Sequence, residues 1–575
     1  MTDREFSAAA AAQPQTVEAA FARAVQLQRE GRTTAAEDLY RTVLADDPDH
    51  AGALHELGTL RLQAGEFTEA AEFFSRLIGC DPNSSSAHNN LGIALERLDR
   101  PAHAARHFET ALTLEPKRPE ANYNLGHALQ TLDRRGEARA CYERAIALRP
   151  DYVEAHNSLG VLLAPDRPDE ALASFERAVA IRPGFADAHN NAGNVLHDLG
   201  RHNDALASYR RALAAKPDHA AAHNNVGMAL RELNRHEEAV ASFEMAQTIK
   251  PDYVEAHVNE SLVRLALGDY ATGWKKYAWR RLTANFSYGR KNPPRPLWLG
   301  QWDIAGKTIL LHGEQGLGDT IHFCRYVPLV AEQGARIVLA VQRPLAALIS
   351  TLAGVSVLRA QGEPIPPFDG YCPLPSLPLA FKTTLESSPA HMPYLSAPPD
   401  RIERWRPIIG VIGRPRIGLM WAGAGGTPHN RRRSIALRLL APLLDLPNFH
   451  FVALQKEIPD DDVAHLHASG MASFLGERQA DLADAAAMIA MLDLVITVDT
   501  SIAHVAGAMG KPVWVLLPFS ADWRWLRGRS DTPWYPSARL FRQPTPGDWQ
   551  SVVMQVERAL QLHRFQSPTD SSSAS

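Results

Sequence analysis

The chain has 575 residues, more than one hydrophobic core can organise, so roughly two to four domains are expected. Its 60 Lys and Arg against 64 Asp and Glu leave a net charge of −4, which argues against a general nucleic-acid or anionic-membrane binder. The four cysteines, Cys80, Cys141, Cys324 and Cys372, lie far apart and form no C-x-x-C pair, so neither a disulfide framework nor a zinc site is indicated and a cytoplasmic location is expected.

Residues 1–15 lack the basic start and apolar core of a secretory signal and are expected to be disordered. No apolar run approaches the roughly 20 residues that cross a bilayer, so no membrane span is expected. From 16 to 282 the chain repeats itself. Prolines recur at Pro48, Pro82, Pro116, Pro150, Pro183, Pro217 and Pro251, in steps of 34 residues with one of 33. In phase with them run Gly58, Gly92, Gly126, Gly160, Gly193 and Gly227, then an alanine series from Ala36 to Ala239, and four residues after each alanine an aromatic from Tyr40 to Phe243. Each period reads as two amphipathic helices: the small residues let them approach, the aromatic fills the space beside them, and the proline ends the second helix for want of an N–H. The pattern resembles the tetratricopeptide repeat, which implies an α-solenoid of stacked helix pairs. Seven repeats are counted. An eighth, irregular unit covers about 252–281, with Ser261, Gly273 and Tyr277 at the matching positions. The 33-residue step falls at Ala164 to Pro168, a shortened turn.

Two residues before the phase glycine stand Asn90, Asn124, Asn191, Asn225 and, in the last unit, Asn259; Glu56 and Ser158 interrupt the series. One amide per repeat at one phase makes a ladder, and each Asn offers a donor and an acceptor that suit the backbone of an extended peptide. The alternative is that they only bridge helices within the array. The Ala-His-Asn-Asn-x-Gly wording resembles the repeats of protein O-linked N-acetylglucosamine transferases, a likeness that implies an acceptor polypeptide held by these asparagines. The neighbouring His88, His156, His189, His223 and His257 are one per repeat and so spaced against metal binding.

Residues 283–305, with three prolines between Arg290 and Leu299, read as an extended linker that Trp298 and Trp302 pin to a neighbour. Beyond it strands and helices alternate, which implies parallel sheets with helices on both faces. Strands are expected at 309–312, 336–341, 355–358, 417–421, 450–454, 494–498 and 513–517. Helices are expected at 320–332, 344–352, 482–492, 501–509 and about 548–563, and one starting at Ala441. The proline-rich, aperiodic stretch 393–412 is read as the divider between two Rossmann-like halves, 306–405 and 406–565, with a disordered Ser-rich tail from 566.

Three motifs carry chemistry. The first is His312-Gly-Glu-Gln-Gly-Leu-Gly-Asp319, a strand, a glycine turn and a helix start. Its spacing is not the dinucleotide G-x-G-x-x-G. Asp319 reads either as a helix cap or as a carboxylate at the ligand-binding edge of an α/β sheet. The second is Trp421 to Ser434, a glycine-rich loop carrying Arg431, Arg432 and Arg433, whose planar forks suit phosphate. The third is Asp499-Thr-Ser-Ile-Ala-His504, a strand end and helix N-terminus that favour an anion such as a diphosphate. The aromatic stretch 517–525, with its Asp and Arg, is a further candidate pocket wall. Asp460-Asp-Asp462 matches a metal-binding D-x-D string but reads better as a helix-start cap in a loop.

Residues from about 306 to 565 resemble the GT-B glycosyltransferases, specifically the heptosyltransferase-like family 9. The matched pieces are Gly316-Leu-Gly-Asp319, Asn430-Arg-Arg-Arg-Ser434 and Asp499-Thr-Ser-Ile-Ala-His504. The resemblance implies a nucleotide-sugar-dependent inverting transferase without a metal cofactor. It makes Asp319 the base. It assigns Gly316, Gly318, Arg431, Arg433, Ser434, Asp499, Thr500, Ser501 and His504 to the donor. Two departures stand out: the first half is short, and the family's Gly after D-[ST] is Ser501. The expected acceptor is a polypeptide on the repeat array. The alternatives are a lipopolysaccharide or other glycan acceptor, or a non-catalytic scaffold with a vestigial transferase half.

Overall fold

The computed structural model describes residues 16–283, 295–314, 316–410, 413–423, 425, 428–458, 462–463, 475–563 and 565. It divides into two compact units, one running to Leu199 and including Ala207–Pro217, the other holding Gly200–Leu206 and everything from Asp218 onward.

The first unit is helical. Pairs such as Ser85–Arg97 with Pro101–Leu114, and Pro119–Thr131 with Arg135–Leu148, repeat along it. The phase residues explain the pairing. Ala104, Phe108, Ala138 and Tyr142 are fully buried. A Cβ placed on Gly92 would lie 2.5 Å from Phe108, and one on Gly193 would lie 2.4 Å from Tyr209, so the aromatic occupies the volume that glycine leaves open. The shortened step appears as an 11-residue helix, Val153–Leu163, where the equivalent helices of the adjacent repeats have 13. The repeat histidines tie each pair to the preceding proline: Nε2 of His88, His156 and His189 lies 3.2, 3.0 and 3.0 Å from the carbonyl oxygen of Pro82, Pro150 and Pro183.

From Asp218 onward the second unit opens with helices Ala220–Glu232, His236–Ile249, Val254–Ala266 and Tyr270–Tyr277. The last pair is a seal rather than another repeat. Trp534 Nε1 donates to the Tyr270 hydroxyl at 3.0 Å, and the Trp274 ring meets Trp523 edge-on at 5.2 Å. The Arg280 guanidinium, just beyond, bonds Glu314 and the Ser376 hydroxyl.

Two parallel sheets follow. β1 (Thr308–His312), β2 (Arg336–Val341), β3 (Val357–Ala360) and β4 (Gly370–Pro373) stand in the order β3-β2-β1-β4. β5 (Arg416–Met420), β6 (His450–Ala453), β7 (Leu494–Val498), β8 (Val513–Leu517) and β9 (Ala538–Arg542) stand in the order β6-β5-β7-β8-β9. β7 and β8 are buried throughout, as their apolar runs imply.

Several expectations are corrected. β3 starts two residues later than its apolar run, and β4 and β9 were not anticipated. The helix expected over 320–332 is two helices, Leu317–Phe323 and Val327–Glu332, joined by a 3₁₀ turn, because Pro328 has no N–H to continue the ladder. The stretch read as an aperiodic divider holds a helix, Pro399–Ile409, fixed by buried Trp405, whose Nε1 donates to Asp484 at 2.9 Å, and by Arg401 on the same carboxylate. The described end of the linker adds to the first sheet: Trp298 N–H donates to the Tyr371 carbonyl at 2.8 Å and its ring is buried. Asp460 and Asp461 lie outside the described residues. Asp462 is buried and accepts from Trp421 Nε1 and the Leu437 N–H, both at 2.8 Å.

Candidate active site

A cleft of about 400 Å³ opens at the carboxyl ends of β1, β5 and β7. Each wall follows from local sequence. After β1 the chain turns through Gly316, whose N–H donates to Asp319 Oδ2 at 3.0 Å, so Asp319 sits in the first turn of its helix and not at its cap position. Gly318 is required by close approach: a Cβ there would meet His504 Cδ2 at 2.8 Å. After β7 the Thr500 hydroxyl caps the helix Ser501–Ala508 through the Ile502 N–H. The helix start faces the cleft with Ser501 and Thr500 in its wall, an arrangement that favours an anion.

The arginine element contributes selectively. Arg433 lines the cleft, its Nη2 donating to Asn430 Oδ1 at 2.7 Å. Ser434 stands behind the wall, accepting from the Gly423 N–H at 3.1 Å and donating to the Asn430 carbonyl at 2.7 Å. Arg432 pairs with Glu232 at 3.1 Å, and Arg431 is exposed and outside the cleft lining. Successive residues on a helix point about 100° apart, so of the three arginines Arg433 lines the cleft.

Burial governs the electrostatics. The Asp319 carboxyl is pushed up by burial, with the Arg524 guanidinium pulling it back and Asp522 adding to the rise. Asp499 is pushed up to about 6 by burial and by neighbouring Asp522, against the pull of Arg433. Burial, and then the surrounding arginines, hold His504 far below its ordinary value, so it is a neutral imidazole. Its Nδ1 is 2.9 Å from the Tyr535 hydroxyl and its ring stacks on Trp525 at 5.7 Å.

The cleft thus gathers Gly316, Gly318, Asp319, Arg433, Asp499, Thr500, Ser501 and His504. Sequence reasoning noted the Asp and Arg of the stretch 517–525 but gave them no partner. Both line the cleft, and Arg524 bonds Asp319 and, at 2.8 Å, Asp522. The Asn positions bond to other asparagines within and across repeats. Asn124 donates to Asn89 at 3.1 Å and Asn191 to Asn157 at 3.0 Å in the first unit, and Asn259 to Asn224 at 3.0 Å in the second. Asn90 and Asn225 accept from Asn89 and Asn224, both at 3.2 Å. All five are half-buried, so they bridge within and between repeats.

Residues 21–85, 123–184, 162–218 and 191–254 match a tetratricopeptide-repeat family, and 85–118 match a second one. The repeats are tetratricopeptide repeats. Behind them, residues 456–527 match Glycosyltransferase family 9 (heptosyltransferase), a stretch that contains β7, the Ser501 helix, β8, Asp522 and Arg524. Protein FlbA of Caulobacter vibrioides is 30% identical over 322 residues, covering 52% of this chain and 53% of its own. The chain thus spans about half the length of that curated relative. Two solved structures, MamA and the tetratricopeptide-repeat protein YrrB, are also similar. MamA is 26% identical over 28% of this chain and 95% of its own, with a TM-score of 0.27; YrrB is 24% identical over 32% and 97%, with a TM-score of 0.28. Among the described residues no helix is long and apolar enough to cross a membrane.

Proposed function

We propose that this protein is a nucleotide-sugar-dependent, inverting glycosyltransferase whose two Rossmann-like halves form a GT-B pair, and that the tetratricopeptide repeats hold a polypeptide acceptor. The observation that carries the reading is the convergence in one cleft of a carboxylate from the first sheet, Asp319, with Arg433 and the Ser501 helix start from the second.

In this reading the donor diphosphate lies against Arg433 and the N–H groups of the Ser501 helix, which take the charge of the leaving group without a metal. The Asp499 carboxyl, protonated or hydrogen-bonding, suits a donor hydroxyl better than a phosphate. Asp319 accepts the proton of an acceptor hydroxyl as its oxygen bonds to the anomeric carbon. The bond from that carbon to the phosphate oxygen breaks, its electron pair leaves with the nucleoside diphosphate, and the single displacement inverts the centre. Neutral His504 beside Gly318 offers its second nitrogen edge to the donor sugar.

The cross-bonding of the asparagines favours a second reading for the acceptor alone. With the Asn124, Asn191 and Asn259 amides engaged inside the array, a glycan acceptor, with the repeats binding a partner protein, is the alternative. A calorimetric panel of nucleotide sugars tests the donor site. One sugar nucleotide should bind, and its nucleoside diphosphate should compete; binding of none would overturn the proposal.

A further inference from the structure

Arg524 is held in a way the transferase reading does not by itself require. Its side chain is almost fully buried, with the guanidinium carbon 4.4 Å from the Trp523 ring centre and 5.6 Å from that of Phe323. It bonds both Asp522 and Asp319, while its Nε is buried without a hydrogen-bond partner among the described residues. The cleft lining holds the carboxylates of Asp319, Asp499 and Asp522 against the guanidinium groups of Arg433 and Arg524, an excess of acid in a place read as a diphosphate site. A diphosphate entering it would meet Asp319 while that carboxylate still occupies one of the two arginines.

We propose that Arg524 exchanges partners: in the empty protein it masks Asp319, and on donor binding it turns to the diphosphate and leaves Asp319 free to take the acceptor's proton. This rests on the transferase reading and deepens it. The exchange resolves both difficulties. A planar guanidinium with two donor edges can keep Asp522 on one edge and trade Asp319 for a phosphate oxygen on the other. The stacking on Trp523 restrains its plane and favours such an in-plane trade over a swing of the whole side chain. A carboxylate relieved of its cation and set near an anion holds a proton more strongly, so the base strengthens only when the donor is seated. Binding is therefore ordered, donor first and acceptor second, and Arg524 is a positioning residue for Asp319 as well as a phosphate ligand.

The test uses inorganic pyrophosphate as the probe, in calorimetry on the full chain, so that neither the nucleotide nor the acceptor need be known. Arg524→Gln should weaken pyrophosphate binding about tenfold or more, and Asp319→Asn, which removes the competing partner, should tighten it about fivefold. In the double variant the gain from Asp319→Asn should shrink to less than about twofold, because there is no arginine left to release. Arg524→Lys, which keeps the charge but not the fork, should fall between. Should Arg524→Gln not fold, Asp319→Asn and Arg524→Lys decide the matter alone. Equal pyrophosphate affinity in the parent and Asp319→Asn, or an undiminished gain in the double variant, overturns the exchange and leaves the donor site standing. Failure of pyrophosphate to bind the parent overturns the donor site and the exchange with it.

Discussion

The Gly316 N–H donates to the Asp319 carboxylate at 3.0 Å, so the group offered to a ligand also closes the first turn of its own helix. The two roles separate by substitution. Asp319→Asn keeps an oxygen for that N–H and should leave the melting temperature near parental. Asp319→Ala loses the bond and should cost about 1 kcal/mol, the usual value of a capping interaction. Thermal unfolding of the two variants checks this, and equal destabilisation would show that the charge, not the bond, matters to the fold.

Of the three consecutive arginines, only Arg433 lines the cleft. A charge-assisted hydrogen bond contributes about 1.5–3 kcal/mol, so Arg433→Ala should weaken nucleoside diphosphate binding by roughly tenfold or more. Arg431→Ala should leave it unchanged. Calorimetry on the pair decides whether position or bulk positive charge recruits the anion.

The asparagines make two opposed forecasts measurable. If they hold an extended polypeptide, replacing Asn124, Asn191, Asn225 and Asn259 by Ala should impair transfer to a protein acceptor while sparing donor hydrolysis. Their bonds across repeats add a structural cost of about 1 kcal/mol for each bond lost. Parental transfer to the full-length acceptor, with a lowered melting temperature, would mark them as braces only.

Asp499 brings a pH dependence. Its folded value, about 6, lies above the ordinary carboxylate value, so the fold prefers the protonated group. The stability this contributes is fully present below the unfolded value and is lost as pH rises through about 6. A rise of this size corresponds to something on the order of 2–3 kcal/mol. Asp499→Asn should therefore raise the melting temperature at pH 7.5 and change it little at pH 4. A variant destabilised at pH 7.5 would mean that the charged form is the one the fold holds.

Much of this was legible from local pattern, because the determinants are local. The array follows from a glycine, an alanine and an aromatic recurring in phase, since Gly92 and Phe108 touch within one hairpin. β2, β7 and β8 follow from unbroken apolar runs bounded by turns. β4 was hidden because Gly370 and Pro373 are residues that strands disfavour, although the strand is held by pairing with β1. The partner of Asp319 was hidden for a different reason: Arg524 lies 205 residues away, and nothing in either neighbourhood reports a contact that only packing creates. The asparagine ladder was visible as a period, but its bonding was not, because a period places side chains on a face without saying what they meet.

The most direct measure of the transferase assignment is release of nucleoside diphosphate from whichever nucleotide sugar binds the parent, followed in the parent and in Asp319→Asn. The predicted result is slow release by the parent that accelerates with the true acceptor, and an Asn variant that binds the donor at least as well yet turns over about 10²–10⁴ times more slowly. Parental turnover in the Asn variant, or no release from a bound nucleotide sugar under any condition, would contradict it.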